Sequence, residues 1–221
     1  AAGEVVLRDG AGAALARRLL EAGIAYPRVD GVASPFTTDD VTVVVPVHGD
    51  ADRLAATLAT VGPVGEVVVV DDASDDAAAV ADVVRAAGAR LERQGRNRGP
   101  GPARNRGWRS TDRPVVAFVD ADVEPSPGWL EPLLCHLADP AVVAVAPRVR
   151  TRSDGAWHQP NAGDRGLETY EAVRSPLDMG AGEAVVRPGS PVPYVPTAAL
   201  VVRRAALEAV AGFDEGLRYG E

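Results

Sequence analysis

The stretch VTVVVPVHGD, residues 41–50, decides the fold. Its first seven residues form an almost unbroken apolar, β-branched run, which predicts a strand that is buried on both faces. The next segment, ADRLAATLATVG at 51–62, spaces its apolar residues like an amphipathic helix and ends at Gly62. A buried strand followed directly by a helix indicates an α/β sheet with helices packed over it.

Strands and helices continue to alternate along the chain. Further strands are predicted at 66–72, 89–93 and 114–122, and further helices at 74–88, 101–110 and 127–139. Ser74 or Asp75 is the predicted N-cap of the helix at 74–88. A last strand and helix follow within 194–221. The order predicts a mostly parallel sheet flanked by helices, with ligands binding outside the carboxyl ends of the strands.

A short helical appendage precedes this sheet. Residues 11–23 place Leu15, Leu19 and Ala22 on one helical face and end at Gly23, the predicted C-cap. The segment 26–40 is rich in Pro, Gly, Ser and Thr, which is typical of a linker. We therefore expect an N-terminal helix and linker at 1–40 and a main domain at 41–221.

The two ends of the chain suggest a longer protein. Position 1 is not methionine, and the sequence stops at RYGE without a terminating signal. We expect an internal piece whose main domain is truncated at its C-terminal end.

The composition excludes several classes of protein. A formal net charge of −8 argues against a nucleic-acid binder, which normally presents a basic face. No apolar run reaches the roughly 18 residues of a membrane-spanning helix, and the N-terminus lacks the pattern of a secretory signal. A single cysteine excludes an internal disulfide and fits a reducing compartment, so a cytoplasmic protein is expected.

Two carboxylates, Asp120 and Asp122, follow the predicted strand in VVAFVDADVEP at 115–125. Carboxylate oxygens suit Mg²⁺ or Mn²⁺, hard ions that keep coordination positions for water and phosphate. An isolated D-x-D more often marks a solvated turn. The polar ends of two other predicted strands, Pro46-Val47-His48 and Asp71-Asp72, favour a site here, because parallel strands end at one edge.

Two further features suit a nucleotide. Asp72 can accept a hydrogen bond from a base N–H or a ribose hydroxyl. The loop GRNRGPGPARNRG at 95–107 can bring backbone N–H groups, such as that of Gly99, close to a pyrophosphate, with Arg98 or Arg104 pairing with phosphate oxygens. An ordinary arginine-rich surface loop is the alternative interpretation.

Other nucleotide and phosphate folds fit the sequence poorly. All 23 basic residues are arginine, whereas P-loops, receiver domains and aspartyl phosphatases use a lysine. The first strand is followed by PVHGDADR and not by the G-x-G-x-x-G of dinucleotide-binding folds. The three histidines have no metal-ligand spacing, and only His48 lies at a strand end.

Five stretches, taken in order, resemble the inverting glycosyltransferases of family 2, which have the GT-A fold. They are VTVVVPVHGDADRL, VVVVDDASDD, NRGPGPARNRGW, FVDADVEPSPGWLEPLL and GFDEGLRYGE. No single stretch is specific, but the ordered set is, and the resemblance covers about residues 41–221.

The resemblance implies a metal-dependent transfer of a sugar from a nucleotide-diphosphate sugar, most often a UDP-sugar, to an acceptor hydroxyl, with Mn²⁺ or Mg²⁺ as cofactor. It implies that Pro46, Val47 and His48 border the base, that Asp72 bonds the base, that Asp120 lies near the ribose and the metal, and that Asp122 is the direct metal ligand. In the family, an acidic pair after GFDE supplies the catalytic base, which implies Glu221 or the residue that would follow it. On this hypothesis Tyr194, Pro196 and Thr197 line the acceptor side.

A narrower resemblance is carried by ALARRLLEAG at 14–23, YEAVRSPLDMG at 170–180 and YVPTAALVVRR at 194–204. These stretches are similar to the glycosyltransferases of the mycofactocin system, which add glucose units to a peptide-derived redox cofactor. A small-molecule or peptide-derived acceptor is therefore expected. A module of the same fold that binds a nucleotide sugar or a peptide without turnover is the alternative. A sugar-1-phosphate nucleotidyltransferase is disfavoured by the missing lysine and glycine-rich first loop.

Overall fold

The computed structural model describes residues 10–151, 175, 177–190 and 192–217. The chain divides into two units, one of Ala1–Asp30 with Arg148–Val195 and one of Gly31–Pro147 with Pro196–Glu221. The second unit contains the predicted sheet. The domain boundary expected at residues 40 and 41 stays a prediction.

Six strands and six helices lie within the described residues. The strands are β1 Val41–Val47, β2 Glu66–Asp71, β3 Arg90–Arg93, β4 Val115–Val119, β5 Ala144–Val145 and β6 Ala199–Arg203. The helices are α1 Gly10–Glu21, α2 Ala51–Thr60, α3 Ala77–Ala86, α4 Pro100–Arg109, α5 Leu130–His136 and α6 Arg204–Val210. A 3₁₀ turn at Thr38–Asp40 leads into β1.

The strands form one mixed sheet in the order β3-β2-β1-β4-β6-β5. β1 pairs in parallel with β2 and β4, and β2 pairs in parallel with β3. β6 runs antiparallel to both β4 and β5. The mostly parallel sheet is therefore confirmed, while the reversed direction of β6 and the short β5 were not predicted.

Each face of the sheet has its own apolar core. On one face the odd-numbered valines of β1 pack with Leu54 of α2, Val80 of α3 and Leu134 of α5. On the other face Val44 packs with Ala103 and Trp108 of α4 and with α6. β1 is buried along its whole length, as its apolar run predicts. The central strands are thereby fixed, and so are the positions of their carboxyl ends.

Helix α4 lies close against β1 because a glycine faces the sheet. A Cβ atom placed on Gly107 would lie 2.3 Å from Cγ1 of Val44 and 3.2 Å from Cγ2 of Val70. Any larger residue would push α4 outward. This close packing fixes the start of α4 relative to the ends of β1 and β2.

The predicted N-cap of α3 is wrong. Asp76 caps the helix by accepting a hydrogen bond from the N–H of Ala79 at 2.9 Å. The hydroxyl of Ser74 instead accepts from the N–H of Gly49 at 2.7 Å, and the N–H of Ser74 donates to Asp71 at 2.8 Å. Ser74 thus joins the turns that follow β1 and β2.

In the first unit, α1 ends as predicted. Gly23 has a φ of 68° and donates its N–H to the carbonyl oxygen of Leu20 at 3.0 Å. In the same unit Asp178 accepts two hydrogen bonds from Arg148 at 2.7 Å, and these bonds with the N–H of Gly180 lower the pKa of Asp178 to about 2. Within the described ranges, no helix combines the length and apolar character needed to cross a membrane.

Candidate functional site

The carboxyl ends of β1, β2 and β4 form the floor of one open pocket of about 910 Å³. This volume lies within the range of small-molecule and cofactor sites. Eight predicted site residues line the pocket: Pro46, Val47, His48, Asp72, Gly99, Arg104, Asp120 and Asp122. The lining also includes Asp50, Arg53 and Asn97, which the sequence analysis did not identify, and Arg98. The structure thus brings together the three strand ends, while the role of each side chain stays a prediction.

Asp72 is 4% exposed and organises the loop before α4. Its carboxylate accepts hydrogen bonds from the N–H of Arg98 at 2.8 Å, the N–H of Gly99 at 2.7 Å and the side-chain amide of Gln94 at 3.0 Å. The N–H of Gly99, which was expected to face a pyrophosphate, thus donates to Asp72 in this structure. Gly99 has a φ of 92°, which favours glycine at this turn. Asp72 is held rigidly at the pocket wall.

The neighbouring Asp71 has a different task. It is fully buried, accepts from the N–H of Ser74 and pairs with Arg93. Its carbonyl oxygen accepts from the N–H of Gln94 at 2.8 Å. Asp71 therefore holds the turns after β2 and β3 together, and Asp72 alone of the pair lines the pocket.

His48 connects the ends of β1 and β2. Its Nδ1 lies 2.9 Å from the carbonyl oxygen of Asp72, and the Gly49 N–H donates to Ser74. The N–H of Asp72 donates to the carbonyl oxygen of Val47 at 2.8 Å. These bonds give the base-side wall expected at residues 46–48 a fixed shape.

Asp120 is paired with an arginine from α4. Nη2 of Arg104 donates to Oδ1 of Asp120 at 2.6 Å, and the Arg104 side chain is only 3% exposed. The Arg104 guanidinium also lies over the ring of Phe213, 5.6 Å from its centroid. Arg104 thus pairs with Asp120, and the predicted pairing of Arg98 or Arg104 with phosphate stays a prediction. The Asp120 N–H donates to the carbonyl oxygen of Ala198 at 3.0 Å, just before β6.

Asp122 projects into the open part of the pocket, with its side chain 59% exposed. Its Oδ2 lies 4.0 Å from Nη1 of Arg53, which also pairs with Asp50 through Nε at 3.0 Å. The turn that carries Asp122 is fixed because the Thr57 hydroxyl donates to the carbonyl oxygen of Ala121 at 2.9 Å.

The acidic pair offers a two-carboxylate set for a cation. Among the described residues, no group of three or more His, Cys, Asp or Glu side chains could hold a metal ion. Asp120 and Asp122 both line the pocket and present hard oxygen donors. This set fits a Mg²⁺ or Mn²⁺ ion that completes its coordination with phosphate oxygens and water, as such ions do at nucleotide sites.

The segment 211–217 supports the pocket from behind, which the sequence analysis missed. Asn105, fully buried in α4, accepts at Oδ1 from Trp108 at 3.0 Å and from the N–H of Phe213 at 2.9 Å. Its amide donates to the carbonyl oxygen of Phe213 at 2.8 Å and to Glu215 at 3.1 Å. The glycine in AGFDE was a possible sequence signal of a tight turn, and Gly212 has a φ of 85° in the structure. Nothing in the sequence pointed to Asn105.

Glu215 carries this support to the loop next to Asp72. It accepts from Nη2 of Arg98 at 2.8 Å and from Arg109 at 3.2 Å. The pKa of Glu215 is lowered, first by the hydrogen bond from Asn105 and then by the bond from Arg109 and the charges of Arg98 and Arg109. Burial opposes this lowering. Arg98 therefore links Glu215 through its side chain to Asp72 through its backbone N–H.

The remaining predicted residues are spread over different parts of the chain. Tyr194 is 58% exposed and belongs to the first unit, whereas Pro196 and Thr197 are half-buried and belong to the second, before β6. Glu221 lies outside the described residues. The catalytic and acceptor roles of these residues stay predictions.

Comparison with known proteins connects this geometry to a family. The glycosyl transferase family 2 profile matches residues 42–209. A pre-mycofactocin glycosyltransferase of Mycobacterium tuberculosis is 40% identical over 220 residues, which is 99% of this chain and 44% of that protein. The chain therefore spans less than half the length of this curated relative.

Solved structures share the fold at low sequence identity. A mannosyltransferase from Pyrobaculum calidifontis, solved with GDP-Man and Mn²⁺, gives a TM-score of 0.57 at 23% identity over 92% of this chain and 55% of its own. Residues 1–349 of TarS from S. aureus, solved with UDP, give 0.56 at 19% identity over 81% of this chain and 52% of theirs. The mostly parallel sheet flanked by helices, the profile match and these likenesses agree, and the chain belongs to glycosyl transferase family 2.

Proposed function

We propose that the chain is the nucleotide-sugar-binding domain of an inverting, metal-dependent glycosyltransferase. It would move a sugar, glucose in our proposal, from a UDP-sugar to a hydroxyl of a peptide-derived acceptor such as pre-mycofactocin. One observation carries the proposal: the parallel strands β1, β2 and β4 end around the same pocket of about 910 Å³, with His48 after β1, Asp72 after β2, and Asp120 and Asp122 after β4. The 40% identity to the M. tuberculosis protein supports the acceptor class.

The donor would lie across the strand ends. The wall at residues 46–48 and the buried carboxylate of Asp72 are suited to a base, since Asp72 is rigid and acceptor-only when ionised. Asp120 would bond the ribose side. The loop at Gly99 borders the same space.

The diphosphate needs positive charge, because the bond to the sugar breaks with negative charge growing on the leaving group. Asp122 and Asp120 would hold a Mn²⁺ or Mg²⁺ ion, which supplies Lewis-acid stabilisation of that charge when bound. Arg104 keeps one oxygen of Asp120 oriented through the 2.6 Å hydrogen bond. A preorganised carboxylate of this kind loses little energy to reorientation during the reaction.

The acceptor hydroxyl would lose its proton to a carboxylate at Glu221 or just after it and attack the anomeric carbon from the opposite face. A single displacement inverts the configuration at that carbon. Tyr194, Pro196 and Thr197 would border the acceptor. The cytoplasmic location also remains part of the proposal.

Transfer of radiolabelled glucose from UDP-glucose to a pre-mycofactocin peptide, with Mn²⁺ present, tests this function. We expect Asp122→Asn to lower the rate at least about a hundredfold, the usual cost of removing a strong electrostatic stabiliser of the transition state. The control is Asp75→Asn, because Asp75 lies after β2 at the same edge of the sheet but does not line the pocket. Both variants are made in the full-length protein. Wild-type transfer by Asp122→Asn would refute the metal role, and absence of transfer by the full-length wild-type protein from any nucleotide sugar would refute the proposed function.

A further inference from the structure

Arg53 is placed where it opposes a cation at Asp122. Its Nη1 lies 4.0 Å from Oδ2 of Asp122, and both side chains line the pocket. A guanidinium and a divalent ion compete for the same carboxylate because both are attracted by its charge. Arg53 therefore lies beside the predicted metal ligand Asp122.

The dipole of α2 does not favour an arginine at this position. Arg53 lies in the first turn of α2, where the helix dipole disfavours a cation. The N-terminus of the helix is already capped by Asp50, which accepts from the N–H of Arg53 at 3.1 Å. This backbone contact does not depend on the Arg53 side chain. The Arg53 side chain also pairs with the capping Asp50 through Nε at 3.0 Å, and its Nη1 lies near Asp122.

Arg53 is also the pocket arginine best able to change partners. Among the described residues, Arg53, Arg98 and Arg104 line the pocket. Arg104 is 3% exposed and fixed by Asp120. The Arg98 side chain is 46% exposed, but it is anchored at its backbone by Asp72 and at its guanidinium by Glu215 at 2.8 Å, whereas Arg53 lies 4.0 Å from Asp122. The Arg53 side chain is 45% exposed, and its partners Asp50 and Asp122 are 49% and 59% exposed. Ion pairs this exposed are weak and exchange readily.

We propose that Arg53 is a donor-binding residue that exchanges partners. It neutralises Asp122 before a donor binds, and it turns to the diphosphate of the nucleotide sugar when a divalent ion is held beside Asp122. A guanidinium suits this task because its fork of N–H groups binds phosphate oxygens in pairs. The inference rests on the proposed function and adds to it a cationic side chain that binds the diphosphate leaving group.

The exchange predicts two effects of opposite sign for Arg53→Ala. The protein should bind Mn²⁺ alone roughly three- to tenfold more tightly, because a half-exposed positive charge about 4 Å from the ligand has been removed. It should bind UDP in the presence of saturating Mn²⁺ at least about fivefold more weakly, because a phosphate contact has been lost. Both constants come from isothermal titration calorimetry of the purified protein, with GDP as a second probe. Arg53→Lys keeps the charge but loses the forked N–H groups of the guanidinium. It should leave the Mn²⁺ affinity near the wild-type value and still weaken the binding of UDP.

Arg85→Ala is the matched control. Arg85 pairs with Asp82 on α3 at 2.8 Å with the same three-residue spacing as Arg53 and Asp50, and it does not line the pocket. We expect wild-type affinities for this variant. Unchanged Mn²⁺ affinity in Arg53→Ala, or unchanged UDP affinity, would overturn the exchange while the wild-type protein still bound both. A wild-type protein that bound neither Mn²⁺ nor a nucleotide would overturn the proposed function as well.

Discussion

Replacing Asn105 with alanine should loosen the support behind the pocket. Asn105 is fully buried and makes four hydrogen bonds, to the indole N–H of Trp108, to both backbone groups of Phe213 and to Glu215. Trp108 is 5% exposed, so its N–H would lose its partner without gaining water. Phe213 is half-buried, and water can satisfy its backbone groups in part.

The expected loss of unfolding free energy is about 2–4 kcal/mol. A buried donor left unsatisfied costs about 1–3 kcal/mol, and the weakened backbone bonds of Phe213 add about 1 kcal/mol. Equilibrium urea unfolding followed by tryptophan fluorescence and circular dichroism measures this loss. The slope of free energy against urea should stay unchanged, which shows that the variant still folds to the same state.

Asn97→Ala provides the control for this measurement. Asn97 is exposed and accepts from the N–H of Gly99 at 3.1 Å, a group that already donates to Asp72. Its replacement should change stability by no more than about 0.5 kcal/mol. A loss under about 1 kcal/mol for Asn105→Ala would refute the reasoning, because it would mean that the network around Phe213 does not fix the segment 211–217.

Two further predictions concern the same part of the fold. Gly107→Ala should destabilise the protein by about 1–3 kcal/mol in urea unfolding, because its Cβ would lie 2.3 Å from Val44 and force α4 outward. Gly95→Ala, with no neighbouring atom within 4 Å, should stay within about 0.5 kcal/mol, and equal effects of the two changes would contradict the close packing. The lowered pKa of Glu215 means that its ionised form is favoured by folding, so its contribution to stability is present above its ordinary pKa of 4.5 and is lost as pH falls through the folded value. The difference in unfolding free energy between wild type and Glu215→Gln should be constant above about pH 5.5 and shrink below pH 4.5. A constant difference down to about pH 3 would show that the cationic neighbours of Glu215 do not stabilise its ionised form.

The carboxylates of the pocket could be predicted because their position depends on local sequence and one general rule. The runs VVVV before Asp71 and VVAFV before Asp120 identify buried strands, and parallel strands end at the same edge. Of the adjacent Asp71 and Asp72, the sequence analysis named Asp72 for the base or ribose, but the reason that Asp71 does not line the pocket lies in tertiary contacts. Which of two adjacent carboxylates points into the pocket depends on the partners Arg93 and Gln94, which come from the next strand and its turn.

The support behind the pocket could not be predicted, because it joins distant parts of the chain. Asn105 and Phe213 are 108 residues apart, and an asparagine in the middle of an arginine-rich helix has no pattern that marks it as buried. The direction of β6 could not be predicted either, because a buried strand has the same apolar sequence in a parallel and an antiparallel pair. Ser74 was wrongly predicted as a possible N-cap of α3, because its hydroxyl accepts a hydrogen bond from the N–H of Gly49. This contact joins two turns and is not visible in either turn alone.

The reversal of β6 affects how the position of Asp120 is maintained. Because β6 runs opposite to β4, the chain enters it at the edge where Asp120 lies, and the carbonyl oxygen of Ala198 receives the Asp120 N–H. A parallel strand in that position would begin at the far edge of the sheet. The position of Asp120 thus depends on the backbone just before β6 and on the β4–β6 register, so a change at residue 198 leaves the carboxylate in place only while that register is kept.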